Sequence, residues 1–229
     1  MSERGWTRAG VATHVLSVVV FLSAWLGGGA RPAEAVILIN EILANPGGAD
    51  ANEDGTPHIF QDEFVELVNP ASGPFSLAGW TLSDSVGVRH VFAPDAIIGG
   101  GGFLVVFGGG NPASIPHALK ASTGTLGLNN TGDTVTLRDT TPAIIDTYTY
   151  TAAQVVAGAS LTRFPDAFGP FISHPAVSAE PFSPGTTTGG SPQLPIPTPE
   201  PTTLWLLGAG LLGTVGRRPR PFAHVLSGA

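Results

Sequence analysis

Cysteine is absent from this chain of 229 residues. That excludes a disulfide framework, a thiolate zinc site, a cysteine nucleophile and a lipidated cysteine. Lysine is represented by Lys120 alone and methionine by Met1 alone. Sustained helical periodicity is missing as well, which argues against a helical bundle or a coiled coil. Fixed positive charge is scarce between residues 36 and 198, where Arg89, Lys120, Arg138 and Arg163 face 14 acidic residues. A segment so acidic is a poor binder of phosphates, so nucleic acid is excluded as a partner. What the chain has in abundance is glycine and proline, 31 and 21 residues respectively. This is a turn-rich composition suited to many short strands.

Both ends read as addresses. At the N-terminus Arg4 and Arg8 precede the apolar run VLSVVVFLSAWL and the small-residue site Ala33-Glu34-Ala35. That order predicts a secretory signal peptide over residues 1–35, cleaved before Val36, with a retained membrane anchor as the alternative. At the C-terminus a proline-rich linker, residues 191–201, ends in Pro199-Glu200-Pro201. An apolar stretch follows over residues 202–216, and then a basic tail, residues 217–229, with Arg217, Arg218 and Arg220. The stretch is predicted as a short transmembrane helix of about 22 Å, less than the roughly 30 Å hydrocarbon core. Basic residues beyond it favour a cytoplasmic tail. The tripeptide, short helix and basic cluster in this order resemble the PEP-CTERM protein-sorting signal. The resemblance implies an exosortase-type processing enzyme as partner and transient attachment to the inner membrane. The mature protein is then expected at the cell surface, in the extracellular matrix or secreted.

Between the addresses run short apolar segments: VILINEIL, EFVELV, FSLAGWTL, VRHVFA, GFLVVFG, TVTLRD, AIIDTYTY and ASLTRF. Each is of strand length and rich in β-branched and aromatic residues, and clusters such as NPGGAD, GGGG and NNTGD punctuate them. Seven or eight antiparallel strands in a sandwich or barrel are predicted. The segments INEILANP, DEFVELVNPASGPFSLAGWTLSD, GLNNTGDTVTLRD with IIDTYTY, ASLTRFPD and SPGTTTGG occur in the order of bacterial lamin-tail domains. The similarity covers about residues 36–190. It implies an all-β, immunoglobulin-like antiparallel β-sandwich that is non-catalytic and serves as an adhesive or scaffolding module. An exopolysaccharide or an envelope protein is the expected partner.

Individual residues carry further expectations. Trp80 is predicted to pack between the sheets, and Gly132 to supply a positive φ in the turn Asn129–Asp133. Glu41 interrupts an apolar run and needs a partner, for which Arg163 is the economical choice. The histidines at 58, 90, 117 and 174 lack metal or catalytic spacing and read as surface residues. A small secreted hydrolase using Asp62, Glu63 and Glu66 is the alternative function. However, Glu63 and Glu66 would lie on opposite faces of one strand. SPGTTTGG reads as a linker.

One loop suggests a metal. Asp50, Asn52 and Asp54 alternate and Gly55 follows, the spacing with which an EF-hand loop begins. Place twelve of that loop is the neutral Gln61, so a calcium site of weak, extracellular-range affinity and a solvated hairpin tip are the two readings. Calcium is thus the one cofactor expected from the sequence.

Overall fold

The computed structural model describes residues 37–195. The expected signal peptide, residues 1–35, and the expected transmembrane helix, residues 202–216, lie outside them. Twelve strands run in chain order as β1 (Leu38–Leu43), β2 (Phe64–Val68), β3 (Phe75–Ser76), β4 (Thr81–Ser83), β5 (Val88–Val91), β6 (Ile97–Ile98), β7 (Phe103–Phe107), β8 (Ala118–Lys120), β9 (Gly132–Arg138), β10 (Ile144–Thr151), β11 (Leu161–Arg163) and β12 (Phe171–Ser173). A six-stranded sheet has the order β12-β11-β1-β2-β7-β8 and a four-stranded sheet the order β10-β9-β4-β5, while β3 and β6 form a small third ladder. Within the described residues the only helical turns are two short 3-10 segments, Ala152–Gln154 and His174–Ala176.

Apolar residues from both large sheets meet in one core. The six-stranded sheet contributes Ile39, Ile42, Val65, Leu67, Leu104 and Val106; the four-stranded sheet contributes Leu82, Val135, Leu137 and Tyr150. This is the sandwich expected from the strand periodicity, in which alternate residues of each strand face inward.

The sequence undercounts the strands and misses one orientation. FSLAGWTL does not form one strand: Gly79 at φ +74° and the bond from the Trp80 amide to the Leu77 carbonyl (2.9 Å) break it into β3 and β4. The short strands β6, β8 and β12 carry too few residues to show a period of two. β8 also runs parallel to β7, pairing Val105 with Ala118, so the large sheet is not wholly antiparallel. Gly132 has φ +120° at the head of β9, as the turn requires.

Trp80 is only half-buried. It packs on the rim of the core with its ring edge-to-face against Phe75, centroids 5.2 Å apart. Trp80→Ala is therefore expected to cost about 2 kcal/mol in denaturant unfolding, below the 3–5 kcal/mol typical of a fully buried aromatic.

One irregularity positions the candidate site. The β1–β2 register slips between Ile39 and Glu41. A bulge adds one residue to the face alternation, so Ile39 and Ile42 both reach the inner core while Asn40 and Glu41 both turn to the outer face. That face is not left to solvent. The C-terminal segments on either side of β12, residues 164–170 and 174–194, are strapped over it.

Candidate functional site

The outer face of the six-stranded sheet has apolar ends and a polar middle. Leu43, Phe64, Val105, Phe107 and Ile115 cluster at one end, with Phe182 of the strap laid on them. Val68, Phe103 and Ala167 cluster at the other, with Leu38 and Leu194 packed against them. Between these ends Asn40, Glu41, Glu66, Asp166 and His174 are buried.

Glu41 and Glu66 are direct partners across β1 and β2, and both hold the strap. Glu41 Oε1 accepts from Ser160 Oγ (2.6 Å) and from the Ser183 amide (2.9 Å), and its Oε2 accepts from Ser183 Oγ (2.8 Å). Glu66 accepts from Asn40 Nδ2 (2.9 Å) and from the Gly185 amide (2.7 Å). Asn40 also reaches the strap, where its Oδ1 accepts from the Ala167 amide (2.8 Å) and its Nδ2 donates to Asp166 (3.2 Å). Asp166 in turn accepts from Thr188 Oγ1 (3.0 Å). SPGTTTGG is thus no linker: its Ser183, Gly185 and Thr188 are fastened to buried carboxylates.

His174 completes the network. Its Nδ1 lies 2.7 Å from the Glu180 carbonyl oxygen and its Nε2 lies 2.9 Å from Ser183 Oγ. A carbonyl only accepts, so Nδ1 carries a proton. Ser183 has a single hydroxyl proton and sits between His174 and Glu41. If it donates to Glu41, Nε2 must donate to it and the imidazole is a cation; if it donates to Nε2, Glu41 must hold the proton. The three residues therefore form one proton-sharing chain. Burial raises the Glu41 carboxyl above its ordinary pKa, opposed by His174 and the serine donors. Burial also raises Glu66 well above its ordinary value, reinforced by Glu41 across the ladder.

Two sequence expectations are corrected here. Arg163 does not pair with Glu41: it bonds Asp146 (3.2 Å) and the Ile39 carbonyl (2.7 Å) and stacks over the Phe171 ring at 4.7 Å. β1 pairs with β11 through Glu41 and Thr162, and Arg163 alternates to the Asp146 side while Glu41 turns under the strap. The histidines are not all surface residues either, because His90 and His174 are buried. Asn40, Ser160, Asp166, Ser183 and Thr188 carry no signal of their own in the sequence. The available signal was the polar pair Asn40-Glu41 inside VILINEIL.

Glu63 and Glu66 do lie on opposite sides of β2 and engage different partners. Glu63 turns to the other side and accepts from the Leu128 amide (3.3 Å). Burial pushes its carboxyl up to about 8, opposed by the Leu128 and Gly127 amides and by Arg89. Arg89 is itself paired with Asp84. Tyr150 beside this group is pushed up, first by burial and then by Asp133, Glu63 and Asp84. Asp62 is buried and closes the preceding loop, accepting from the Asn52 amide (2.9 Å) and the His58 amide (2.6 Å).

In the loop itself, Asp50 accepts from the amides of Asp54 (3.2 Å) and Gly55 (2.8 Å), and Asn52 Oδ1 from the Asp54 amide (3.0 Å). Asp54 accepts from the amides of Thr56 (2.9 Å) and Asn111 (2.9 Å). Each side-chain oxygen of the expected calcium set thus accepts a backbone amide proton. Among the described residues no group of three or more His, Cys, Asp or Glu side chains is gathered so as to hold a metal ion.

A sandwich of two β-sheets with this strand pattern, its buried carboxylates engaged in fastening the chain to itself, defines an immunoglobulin-like module. The model of the Lamin Tail Domain family matches residues 30–152, more than half of the chain, and the chain belongs to that family. The strap and the strands β11 and β12 follow the matched span. The PEP-CTERM protein-sorting motif matches residues 197–220, which contain Pro199, Glu200, Pro201, Arg217 and Arg218. That signal implies processing by an exosortase and export to the cell surface or medium. No curated protein matches the chain. Among the described residues no helix is long and apolar enough to cross a membrane.

Proposed function

We propose that this chain is an adhesive or scaffolding module of the cell envelope, delivered by its sorting signal and acting through its surface rather than through chemistry. The observation that supports this most is the placement of a sorting motif directly after a lamin-tail domain. The interior supports it too, since Glu41 and Glu66 are sealed under the strap and bonded to it. A hydrolase would need a carboxylate pair open to substrate, and no observation favours that second reading. The partner class in this proposal is an exopolysaccharide or another envelope protein. It is tested by capture of glycans and proteins with the processed chain; turnover of polysaccharides, esters or phosphodiesters that is lost in Glu63→Gln would overturn it.

Processing is the first expected result. The N-terminal segment directs export, residues 202–216 hold the precursor in the inner membrane, and the enzyme acts near Pro199-Glu200-Pro201. Mass spectrometry of the envelope fraction is expected to find an N-terminus at Val36 and no peptides beyond about residue 205. Peptides containing Arg217 and Arg218 in the mature protein would contradict the C-terminal part.

Calcium at the Asp50 loop is proposed as a weak second ligand, supported by the spacing of Asp50, Asn52 and Asp54 and by Gly55 at φ +85°. Millimolar calcium, unlike magnesium, is expected to raise the melting midpoint, and Asp50→Ala with Asp54→Ala to abolish the rise. Identical melts in calcium and in chelator would make the loop a turn only.

A further inference from the structure

Phe168 is the most exposed aromatic side chain of the described domain, at 75% of its free surface. It is not on a loose loop. The Phe168 and Gly169 amides donate to the Pro165 carbonyl (3.1 and 2.7 Å), and the neighbouring Ala167 amide is held by Asn40. Beside it lies an open cavity of about 520 Å³, lined by Pro165, Phe168, Leu194 and Pro195 with Ser191 and Gln193 among them. Its only ionisable lining residue, Asp166, is buried and bonded to Thr188. A rigid exposed aromatic on a charge-poor apolar surface has the composition of an interface centre.

The position of this surface limits what can meet it. Leu194 is fixed to the domain, its amide donating to the Gly101 carbonyl (2.8 Å) and its side chain packed near Val68, Phe103 and Ala167. Pro199 follows five residues later. Fully extended, five residues span at most about 17 Å. An enzyme that takes residues 199–201 into its active site is itself tens of ångströms across, so its outer surface must abut the face from which the chain leaves. Phe168 and the cavity are on that face.

We propose that the surface formed by Phe168, Pro165 and Pro195 is a docking site for the membrane-embedded enzyme that processes the sorting motif. This rests on the sorting reading above. The folded domain then takes part in recognition, adding an aromatic contact to whatever the enzyme reads in the motif, and the short tether fixes the register between the two.

The test uses the full-length precursor expressed with its processing enzyme, with conversion to the mature form followed by pulse-chase. Phe168→Ser is expected to slow conversion at least fivefold with an unchanged melting midpoint, and Phe168→Tyr to restore it. Inserting about 20 Gly/Ser residues after Pro195 lifts the tether constraint, so the Phe168→Ser defect is expected to shrink. A photoreactive benzoyl-phenylalanine at position 168 is expected to cross-link to the enzyme. Wild-type conversion of Phe168→Ser while Glu200→Ala is blocked would overturn the docking surface alone. Normal conversion of Glu200→Ala would instead overturn the sorting reading beneath it. Cross-links to lipid alone would assign the surface to the bilayer and reject the enzyme as its partner.

Discussion

Replacing Glu41 with leucine is expected to release the C-terminal strap and to lower stability by about 3–4 kcal/mol. The side chain is wholly buried and accepts three hydrogen bonds, from Ser160 Oγ, the Ser183 amide and Ser183 Oγ. Leucine fills the volume but accepts none of them: the Ser183 amide is stranded in a dry interior, while Ser183 Oγ falls back on His174 and Ser160 Oγ on the Pro181 carbonyl at 3.4 Å. Each buried unsatisfied donor costs on the order of 1–3 kcal/mol. The proton-sharing chain that runs from His174 through the Ser183 hydroxyl loses its far end as well. One effect opposes these: Glu66 is freed from a like-charged neighbour, which moderates the loss without reversing it. Glu41→Gln keeps an acceptor and is expected to cost less. Denaturant unfolding measures both variants, and limited proteolysis of Glu41→Leu is expected to cut first within residues 174–190. A loss below about 1 kcal/mol, with the strap still protected, would show that the carboxylate is not its fastener.

The fold was legible where a strand is long enough to show its period. VILINEIL, EFVELV, GFLVVFG and TVTLRD became β1, β2, β7 and β9, and these four supply much of the sandwich core. Strands of two or three residues have no period to read; β8 exists because the longer β7 offers it a ladder, while β3 and β6 have only each other. The candidate site was less legible for a different reason. Period-two reasoning places Asn40 and Glu41 on opposite faces, and only the slip of register in β1 puts both beneath the strap. A bulge leaves no mark in composition, so the pairing of Glu41 with Ser183, 142 positions away, was out of reach. A lone buried carboxylate is costly, which is why the sequence points to Arg163 as its partner. The structure satisfies the carboxylate with hydroxyls and amides instead, donors that the sequence holds in excess.

The same bonds hold the segment through which the chain leaves the sandwich. The strap covers the outer sheet face, and near its end the Leu194 amide donates to the Gly101 carbonyl, five positions before Pro199. An envelope module that is handled by a processing enzyme while tethered by a few residues needs this departure point to hold. Fastening Ser183 and Gly185 to Glu41 of β1 and Glu66 of β2 holds the strap to the sandwich.

Because several of these carboxyls are buried, the domain is expected to be more stable at pH 5 than at pH 8, and Glu63 gives the cleanest test. Burial holds its carboxyl at about 8 in the folded chain against an ordinary value of 4.5. The folded state therefore binds a proton that the unfolded state has lost across this window. Stability from that proton is fully present below about pH 4.5 and is lost as the pH rises toward 8, with a limiting slope of about 1.4 kcal/mol per pH unit. Glu41 and Glu66 are raised as well and add to the same trend. His90, lowered by burial, opposes it: the stability gained by its neutral form is present above about 6.5 and is lost as the pH falls through its folded value. Comparing wild type with Glu63→Gln at each pH removes these shared contributions. Glutamine has the shape of the protonated acid and stays neutral, so the variant is expected to match wild type near pH 5. At pH 8 it is expected to exceed it by about 3–4 kcal/mol, or roughly 6–16 °C in melting midpoint for a domain of this size. Around Glu63 stand Arg89, Asp133 and the amides of Gly127 and Leu128, and Arg89 is already committed to Asp84. Should Glu63→Gln instead melt below wild type at pH 8, the carboxylate would be ionised in the folded protein, with Arg89 and the two amides outweighing its burial.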